Sequence, residues 1–276
     1  MKLLKHGSKG DDVRKLQQLL VLEGYDISID GHFGKKTKRA VEQYQASQGL
    51  MVDGIVGKGT WGALLSEDGE WVPVPAALKY SGEGLPPILK RAKALGYQTF
   101  EGEHRMNLVG IRSPELEANS FDDYLVCCWK EDGEWHQKVW PITTDPGTYW
   151  MLHFNEDRVS GTAVLVPGQY FAHKIDLHSG SYKAICQRLA KVRVYRDANR
   201  DNRLHTDDST ISEGYFGINI HRSSKSGEST KVEKWSAGCQ VHARLACFEE
   251  MMGLAHRQVR ETGEEMFPYT LLRQWF

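Results

Sequence analysis

Apolar residues in the first 66 positions recur at intervals of three and four, a spacing that predicts three amphipathic helices. Asp11 and Asp12 are placed to cap the first helix, and Gly24 is placed to end it. The second helix is expected after Gly34 with Gly49 as its stop, and the third from Gly59-Thr60. The positions predicted to face inward are Val13, Leu16, Leu19, Leu20, Ala40, Val41, Tyr44, Trp61, Leu64 and Leu65.

An internal repeat connects these helices. The sequence DGHFGKKT, from Asp30 to Thr37, recurs as DGIVGKGT from Asp53 to Thr60, 53 − 30 = 23 residues later. The pattern is typical of a turn in which Asp accepts from local backbone N–H groups and Gly supplies a positive φ. The apolar residue that follows is expected to enter the core, and the Thr is expected to cap the next helix.

This unit resembles the three-helix peptidoglycan-binding domain, and the resemblance extends from Leu3 to Leu65. It implies peptidoglycan as a binding partner and a domain covering residues 1–66. Most of the motif residues would hold the fold and need not touch glycan. The residues that the resemblance implies for wall binding are Asp30, Gly31, Phe33, Asp53, Gly54 and Trp61.

Residues 67–80 are interpreted as a linker. The stretch begins with polar and acidic residues, and Pro73 and Pro75 favour an extended, semi-stiff backbone. Such a segment would tether two modules while letting the second search the nearby wall.

Beyond the linker, the pattern changes from helical spacing to mostly strands and turns. A helix is predicted through Ala94, and another over 243–259. The last residues, 269–276, are apolar enough to dock as a final strand or helix. The fold class expected is α+β, with the three-helix bundle followed by a β-rich domain with flanking helices over 81–276. The predicted strands cover 107–112, 123–129, 135–140, 161–166, 191–195 and the run that ends at His221.

Composition narrows the function classes. The chain has 276 residues, with 35 Lys and Arg against 36 Asp and Glu. This balance gives no electrostatic footprint for nucleic acid. No apolar run approaches the roughly 20 residues that a membrane span needs. We expect a monomer that binds peptidoglycan and carries no cofactor.

The five cysteines form an odd set without framework spacing, which argues against a disulfide-stapled domain. The segment Met1–His6 lacks the apolar core and cleavage site of a signal peptide. The sequence therefore predicts synthesis in the cytoplasm, of a host cell in the case of a phage protein, followed by action on the cell wall.

Cys239 follows a turn of small residues in the sequence WSAGCQV, which covers 235–241. The turn leaves the thiol uncrowded, and the N–H groups of Gly238 and Cys239 could both point at an oxygen bound beside it. Upstream, the run GINIHR predicts a strand that delivers the imidazole of His221 to a fixed place. A nearby imidazole would lower the pKa of the thiol and form an ion pair with the thiolate.

These residues resemble the L,D-transpeptidase catalytic domain, whose signature is a His followed after a loop by Ser/Thr-His-Gly-Cys. Ser236, Gly238 and Cys239 fall on the motif, and 239 − 221 = 18 residues separate Cys239 from His221. The segment 142–149 also resembles the Thr-Pro-x-Gly-x-aromatic segment of these domains. The resemblance implies a Cys/His enzyme acting on stem peptides, with the carbonyl of Arg222 orienting the imidazole.

Two positions depart from the family pattern. Ala237 stands where the family has its second histidine, and Gln240-Val241 replaces an apolar-Arg pair. In the family these side chains belong to the substrate cleft, so the departures favour hydrolysis over transfer to a second peptide. The sequence therefore predicts an endolysin-like peptidoglycan peptidase that acts through a Cys239 acyl-enzyme.

Two alternatives stay open at the level of sequence. One is a true L,D-transpeptidase that cross-links peptidoglycan. The other is a wall-binding protein whose catalytic domain has decayed, in which Cys239 is a small buried hydrophobe and His221 a core histidine.

The sequence contains one partial metal-binding pattern. Asp197, Asn199, Asp201 and Asp208 fall at positions 1, 3, 5 and 12 of a calcium-loop pattern, but Asn202 replaces its glycine. A solvated hairpin loop is the favoured interpretation, and no metal site is predicted. His173, His178 and Tyr182 lack zinc-ligand spacing and are expected to be structural or to make secondary substrate contacts.

Overall fold

The computed structural model divides the chain into two compact units, Met1–Lys79 and Tyr80–Trp275. The residues that the structure describes are 3–23, 25–47, 51–57, 60, 61, 64, 75–154 and 160–274. The predicted helix ends at Gly24 and Gly49 and the first residues of the predicted linker, 67–74, lie outside the described residues. Ala76–Leu78, near the end of that linker, form a short 3-10 turn.

The first unit is helical, as the apolar spacing predicts. Helix α1 spans Asp11–Leu22 and helix α2 spans Lys35–Ser47. Thr60, Trp61 and Leu64 are also helical. The described apolar residues predicted to face inward form one buried cluster together with Leu4, Phe33 and Val56.

The two turns of the repeat are each built around a buried glutamine that the sequence analysis missed. Gln17 donates from Nε2 to Asp30 Oδ1 at 2.8 Å and accepts at Oε1 from the N–H of Gly31 at 2.8 Å. In the second copy, Gln45 donates to Asp53 Oδ1 at 2.9 Å and accepts from the N–H of Gly54 at 2.9 Å.

Other features of the turns follow the expected physics, with one correction. Gly31 and Gly54 have φ values of 74° and 67°, a region that glycine occupies without strain. Thr37, however, lies inside the first turn of α2, which begins at Lys35, and does not cap it. Its hydroxyl accepts from Gln17 Nε2 at 3.1 Å, so the threonine completes the glutamine network instead.

Replacing Gln45 by glutamate is expected to destabilise the first unit by about 2–4 kcal/mol. The change keeps the shape but turns two donors into acceptors beside the carboxylate of Asp53 and the carbonyl of Ile55, which now accept from Nε2 at 2.9 and 3.0 Å. Amide hydrogen exchange of α1 and α2 in the full chain would measure the loss.

Gln43→Glu is the matched control, since Gln43 lies on the same helix and is exposed. Equal protection in the two variants would show that the glutamine network does not stabilise the unit.

The second unit contains eleven strands and three α-helices among its described residues. The helices are α3, Pro87–Ala94; α4, Thr148–Leu152; and α5, Leu245–Thr262. The strands are β1, Asn107–Arg112; β2, Asp123–Glu131; β3, Glu134–Thr143; β4, Thr162–Leu165; β5, Gly168–His178; β6, Tyr182–Gln187; β7, Val192–Asp197; β8, Ser212–Gly214; β9, Ile220–Arg222; β10, Gln240–His242; and β11, Met266–Arg273.

Eight of these strands form a closed sheet in the order β1-β11-β5-β6-β9-β10-β3-β2. Strands β4, β7 and β8 form a separate three-stranded sheet. Apolar side chains from both sheets and from α5 meet in one core, to which Phe248, Met251, Met252 and Ala255 contribute from the helix. The α+β class and the helical and strand-rich halves are therefore as predicted.

Strands β5, β6, β8 and β10 were not anticipated. In β5 the burial pattern changes along the strand, from alternating positions to a half-exposed stretch that ends at His178. Because the residues at that end are mostly polar or charged, the run offers no continuous apolar signal.

None of the described helices is long and apolar enough to cross a membrane.

Candidate active site

Two short parallel strands place His221 and Cys239 on one face of the closed sheet. In the register of β9 and β10, Val241 lies opposite His221. The N–H of Gln240 donates to the carbonyl of Asn219 at 2.9 Å, so the residue before β10 lies beside the residue before β9. Cys239 therefore lies two residue pairs away from the imidazole, which places both side chains on the same face of the sheet.

The turn before Cys239 is fixed by Ser236 and Gly238. The hydroxyl of Ser236 donates to the carbonyl of Cys239 at 2.9 Å and accepts from the N–H of Gly238 at 3.1 Å. Gly238 has a φ of 121°, and a Cβ at this position would lie 2.4 Å from the carbonyl oxygen of Ala163. Any larger residue would therefore displace the turn that carries Cys239.

This geometry corrects one expectation about the oxyanion. Because the N–H of Gly238 already donates to Ser236 Oγ, it is engaged within the turn and does not point freely at a bound oxygen. The turn uses this amide to hold its own shape.

The segment that resembles the Thr-Pro-x-Gly-x-aromatic motif lies against the same turn. The N–H of Gly147 donates to the carbonyl of Ser236 at 2.9 Å. A Cβ on Gly147 would lie 2.0 Å from the carbonyl oxygen of Glu233, so only glycine permits this close approach. Two stretches far apart in sequence thus pack against each other beside Cys239.

A buried ion pair joins Arg112 to Asp145, which lies shortly before Gly147 in the chain. Arg112 Nε lies 2.9 Å from Asp145 Oδ1, and its guanidinium also donates to the carbonyls of Thr144 and Leu165. Asp123, fully buried beside them, accepts from the N–H groups of Ser113 and Thr144. Burial and the charge of Asp145 raise the pKa of Asp123.

The thiol of Cys239 is half-buried and sits between two backbone groups. It donates to the carbonyl of Gly217 at 3.2 Å and accepts from the N–H of Asn219 at 3.5 Å. Burial raises the pKa of the thiol to about 11, although the Asn219 contact acts in the opposite direction. The thiol is therefore protonated at neutral pH.

The imidazole of His221 is buried and has one defined tautomer. Its Nδ1 lies 2.8 Å from the carbonyl of Arg222, an acceptor, so Nδ1 carries the proton and Nε2 is left as a base. The hydroxyl of Tyr182 donates to the same carbonyl at 3.4 Å. Burial, followed by the repulsion of His178, lowers the pKa of His221 to about 3.

These two shifts correct the expected thiolate–imidazolium ion pair. Burial disfavours the charged form of each group. The resting site holds a neutral thiol and a neutral imidazole.

His178 and Asn219 belong to the site, although sequence reasoning gave His178 only a secondary role and did not single out Asn219. The ring of His178 stacks on that of His221, with centroids 4.1 Å apart and an interplanar angle of 22°. Asn219 Nδ2 lies 3.1 Å from His178 Nδ1. His173, in contrast, is fully buried and contacts the carbonyl of Ile218 at 2.9 Å, which is a structural role.

Gln240 has a structural role that explains one departure from the L,D-transpeptidase pattern. Its Nε2 donates to the carbonyl of Gly238 at 3.3 Å, and its Oε1 accepts from the hydroxyl of Tyr269 at 2.6 Å. A Cβ on Gly110 would lie 1.9 Å from that hydroxyl, so Gly110 makes room for the network. Val241 is fully buried, whereas Ala237 is exposed.

The residues expected to bind the wall fall into an exposed group and a buried group. Asp30 and Asp53 are exposed, although their carboxylates accept from buried glutamines and from the turn backbone. Phe33 and Trp61 are buried in the core of the first unit, and Gly31 and Gly54 are buried in the turns. The four buried residues hold the fold and present no side chain to a ligand in this structure.

The calcium-loop pattern forms a hydrogen-bonded hairpin loop. Asp197 accepts from the N–H groups of Asn199 and His205, and Asp201 accepts from the N–H of Arg203 and contacts His205 Nε2 at 3.1 Å. The carboxylates are thus used within the loop. In the described part of the chain, no group of three or more His, Cys, Asp or Glu residues is placed to hold a metal ion.

Residues 9–64 match the model of a family described as a putative peptidoglycan binding domain. The resemblance of the first unit to this domain is therefore confirmed.

Known proteins are similar in sequence to parts of this chain. A zinc D-Ala-D-Ala carboxypeptidase of Streptomyces albus G is 39% identical over 77 residues, which are 26% of this chain and 29% of that protein. The N-acetylmuramoyl-L-alanine amidase CwlL of Bacillus licheniformis is 37% identical over 133 residues, which are 41% of this chain and 37% of the relative. The chain thus spans well under half the length of these two relatives.

A crystal structure of the L,D-transpeptidase from Xylanimonas cellulosilytica aligns over 98% of both chains, but with 18% identity and a TM-score of 0.27. This score is too low to establish a shared fold. The similarity of the second unit to that family therefore rests on the motif around Cys239 and His221.

Proposed function

We propose that this chain is a peptidoglycan-degrading cysteine peptidase, which hydrolyses stem-peptide bonds through an acyl-enzyme on Cys239. The observation that carries the proposal is the fixed tautomer of His221, whose Nδ1 is held by the carbonyl of Arg222 and whose Nε2 is left as a base on the face of the sheet that carries Cys239. The peptidoglycan-binding domain and the relatives whose names describe wall enzymes support the choice of substrate.

In the first half of the reaction, His221 Nε2 takes the thiol proton as Cys239 Sγ forms a bond to the peptide carbonyl carbon. The carbonyl electron pair moves to oxygen. The tetrahedral intermediate then collapses, and the amine leaves with the proton returned from His221. The neutral resting pair requires this transfer to accompany the attack, since burial raises the pKa of the thiol to about 11.

In the second half, His221 takes a proton from water while the water oxygen attacks the thioester. The carbon–sulfur bond breaks, the new carboxyl group leaves, and the proton returns to sulfur. Hydrolysis is favoured over transfer because Ala237 and Val241 replace the family's cleft residues, and the side chain of Val241 is fully buried.

The alternative is an L,D-transpeptidase, in which an amine of a second stem peptide replaces water. The motif at Ser236, Gly238 and Cys239 supports the thiol chemistry of both functions equally. The products distinguish the two, because hydrolysis creates new stem-peptide ends and transfer creates cross-linked dimers.

The deciding experiment is digestion of purified peptidoglycan with the wild-type protein, followed by mass analysis of the soluble and the mutanolysin-released fragments. We expect new stem-peptide ends, each with the mass of one added water, and expect them to disappear with His221→Ala. His256→Ala is the matched control because that histidine is exposed on α5. A wall that stays intact while the protein sediments with it would instead identify a binding protein.

A further inference from the structure

The contacts around the thiol leave open which group stabilises the negative charge that develops on the carbonyl oxygen of the substrate. The N–H of Gly238 donates to Ser236 Oγ, so the N–H of Cys239 stays the one predicted backbone donor, and the imidazole of His221 must act as a base. A thiol peptidase needs at least one donor aimed at the developing oxyanion. His178 is the polar side chain that stacks directly on the catalytic base.

The hydrogen bonds of Asn219 define the tautomer of His178. The N–H of Gln187 donates to Asn219 Oδ1 at 2.9 Å, which identifies that atom as the oxygen and places the amide nitrogen at the other position. Asn219 Nδ2 therefore donates to His178 Nδ1 at 3.1 Å. A neutral imidazole that accepts at Nδ1 carries its proton at Nε2.

The two stacked rings thus have opposite tautomers. His221 turns a protonated Nδ1 toward the carbonyl of Arg222 and leaves a basic Nε2, whereas His178 turns an accepting Nδ1 toward Asn219 and leaves an N–H at Nε2. Burial and the charges of Arg188 and Arg222 lower the pKa of His178, which keeps it neutral at neutral pH. A neutral imidazole N–H is a suitable donor to an oxyanion.

The position of His178 suits such a contact. It closes the β5-β6 hairpin opposite Tyr182, and it is only partly buried. Within the described part of the chain, no protein acceptor lies at hydrogen-bond distance from its Nε2. Asn219 links Cys239 to His178. Its backbone N–H contacts Cys239 Sγ, and its side-chain amide donates to His178 Nδ1.

We propose that His178 is a further catalytic residue, whose Nε2–H binds the scissile carbonyl oxygen of the substrate and stabilises the oxyanion after attack by Cys239. The inference rests on the proposed peptidase function. No proton is transferred from His178, which contributes one hydrogen bond that strengthens as charge develops on the oxygen.

The test compares two reactions of the same thiol. Peptide hydrolysis passes through an oxyanion, whereas alkylation by iodoacetamide forms a carbon–sulfur bond with loss of iodide and develops no oxyanion. His178→Phe keeps a ring against His221 but removes the N–H, and His178→Gln restores an N–H near the position of Nε2. His136→Phe is the matched control, because His136 also stacks on an aromatic ring, that of Trp129, at 5.4 Å.

We expect His178→Phe to lower kcat for stem-peptide hydrolysis by roughly 10²–10³-fold with little change in KM. We expect His178→Gln to recover part of that loss, and all three variants to alkylate Cys239 at the wild-type rate. Cys239→Ala supplies the blank for alkylation.

Two results would overturn the assignment while leaving the peptidase function intact. One is full hydrolysis by His178→Phe, and the other is an equal loss of hydrolysis and alkylation, which would make His178 a positioning residue for His221. Absence of hydrolysis by the wild-type protein would instead refute the proposed function, and this inference with it.

Discussion

Replacing Cys239 by alanine is expected to reduce the release of stem-peptide fragments by roughly 10³-fold or more, because no other group in the site can form the acyl-enzyme. Cys239→Ser should lose nearly as much. A serine hydroxyl can keep the contacts with Gly217 and Asn219, but it is a far weaker nucleophile than a thiol beside the same base. Mass analysis of digested peptidoglycan measures both losses.

Sedimentation with peptidoglycan should be unchanged in these variants, since the binding domain at residues 9–64 does not include the thiol. Cys247→Ala is the matched control, because it removes another reduced cysteine, on α5 and buried. If Cys239→Ala cleaves the wall at the wild-type rate, Cys239 is not the nucleophile.

Replacing His242 by leucine is expected to make the second unit markedly less sensitive to acid. His242 is fully buried, and burial lowers the pKa of its imidazole from 6.5 to about 3. Its Nδ1 has no hydrogen-bond partner in the described structure, and its Nε2 lies 3.3 Å from Met251 Sδ. Protonation therefore requires a charge in an apolar site between Trp140 and Phe248.

The direction of the pKa shift of His242 determines how stability changes with pH. A folded-state pKa below the unfolded value means that the stabilisation is complete above pH 6.5 and is lost as the pH falls toward 3. The loss amounts to about 1.4 kcal/mol per pH unit within that window. The leucine variant has no such group, so its stability relative to the wild type should rise by about 2 kcal/mol between pH 6.5 and pH 4.5.

Urea unfolding at a series of pH values measures this difference, followed by the β-sheet signal of circular dichroism. Comparison of the two proteins is essential because Asp122 acts in the opposite direction. Burial raises the pKa of its carboxyl to about 7, and this contribution is common to both proteins and cancels. A difference that stays constant from pH 8 to pH 4 would show that His242 does not titrate in this way.

Local patterns in the sequence located the helices and turns of the first unit but not the helix caps, since the N-cap of α1 is Gly10 and not Asp11 or Asp12. Apolar spacing located helices α1 and α2, and the DG repeat identified turns that need a positive φ. These features depend on residues close together in the chain. Gln17 and Gln45 escaped notice because a polar residue on a helix is usually solvated, and only the packed turns show that each one is buried.

In the second unit, the sequence by itself identified Cys239, His221 and the glycine between small residues as a candidate thiol site. It also gave most of the long apolar strands. What it could not give was the neighbourhood of the thiol, because His178 lies 239 − 178 = 61 residues away and reaches the site only through the pairing of β5, β6 and β9.

The tertiary structure alone decided the protonation states. A motif predicts which residue types meet, but pKa values depend on burial, and both Cys239 and His221 are shifted toward their neutral forms by withdrawal from water. The structure likewise decided that the Gly238 amide is engaged by Ser236 and that two imidazoles stack with opposite tautomers. The order of residues in the chain determined which side chains are candidates for catalysis. Burial and long-range packing determined the protonation states of those side chains.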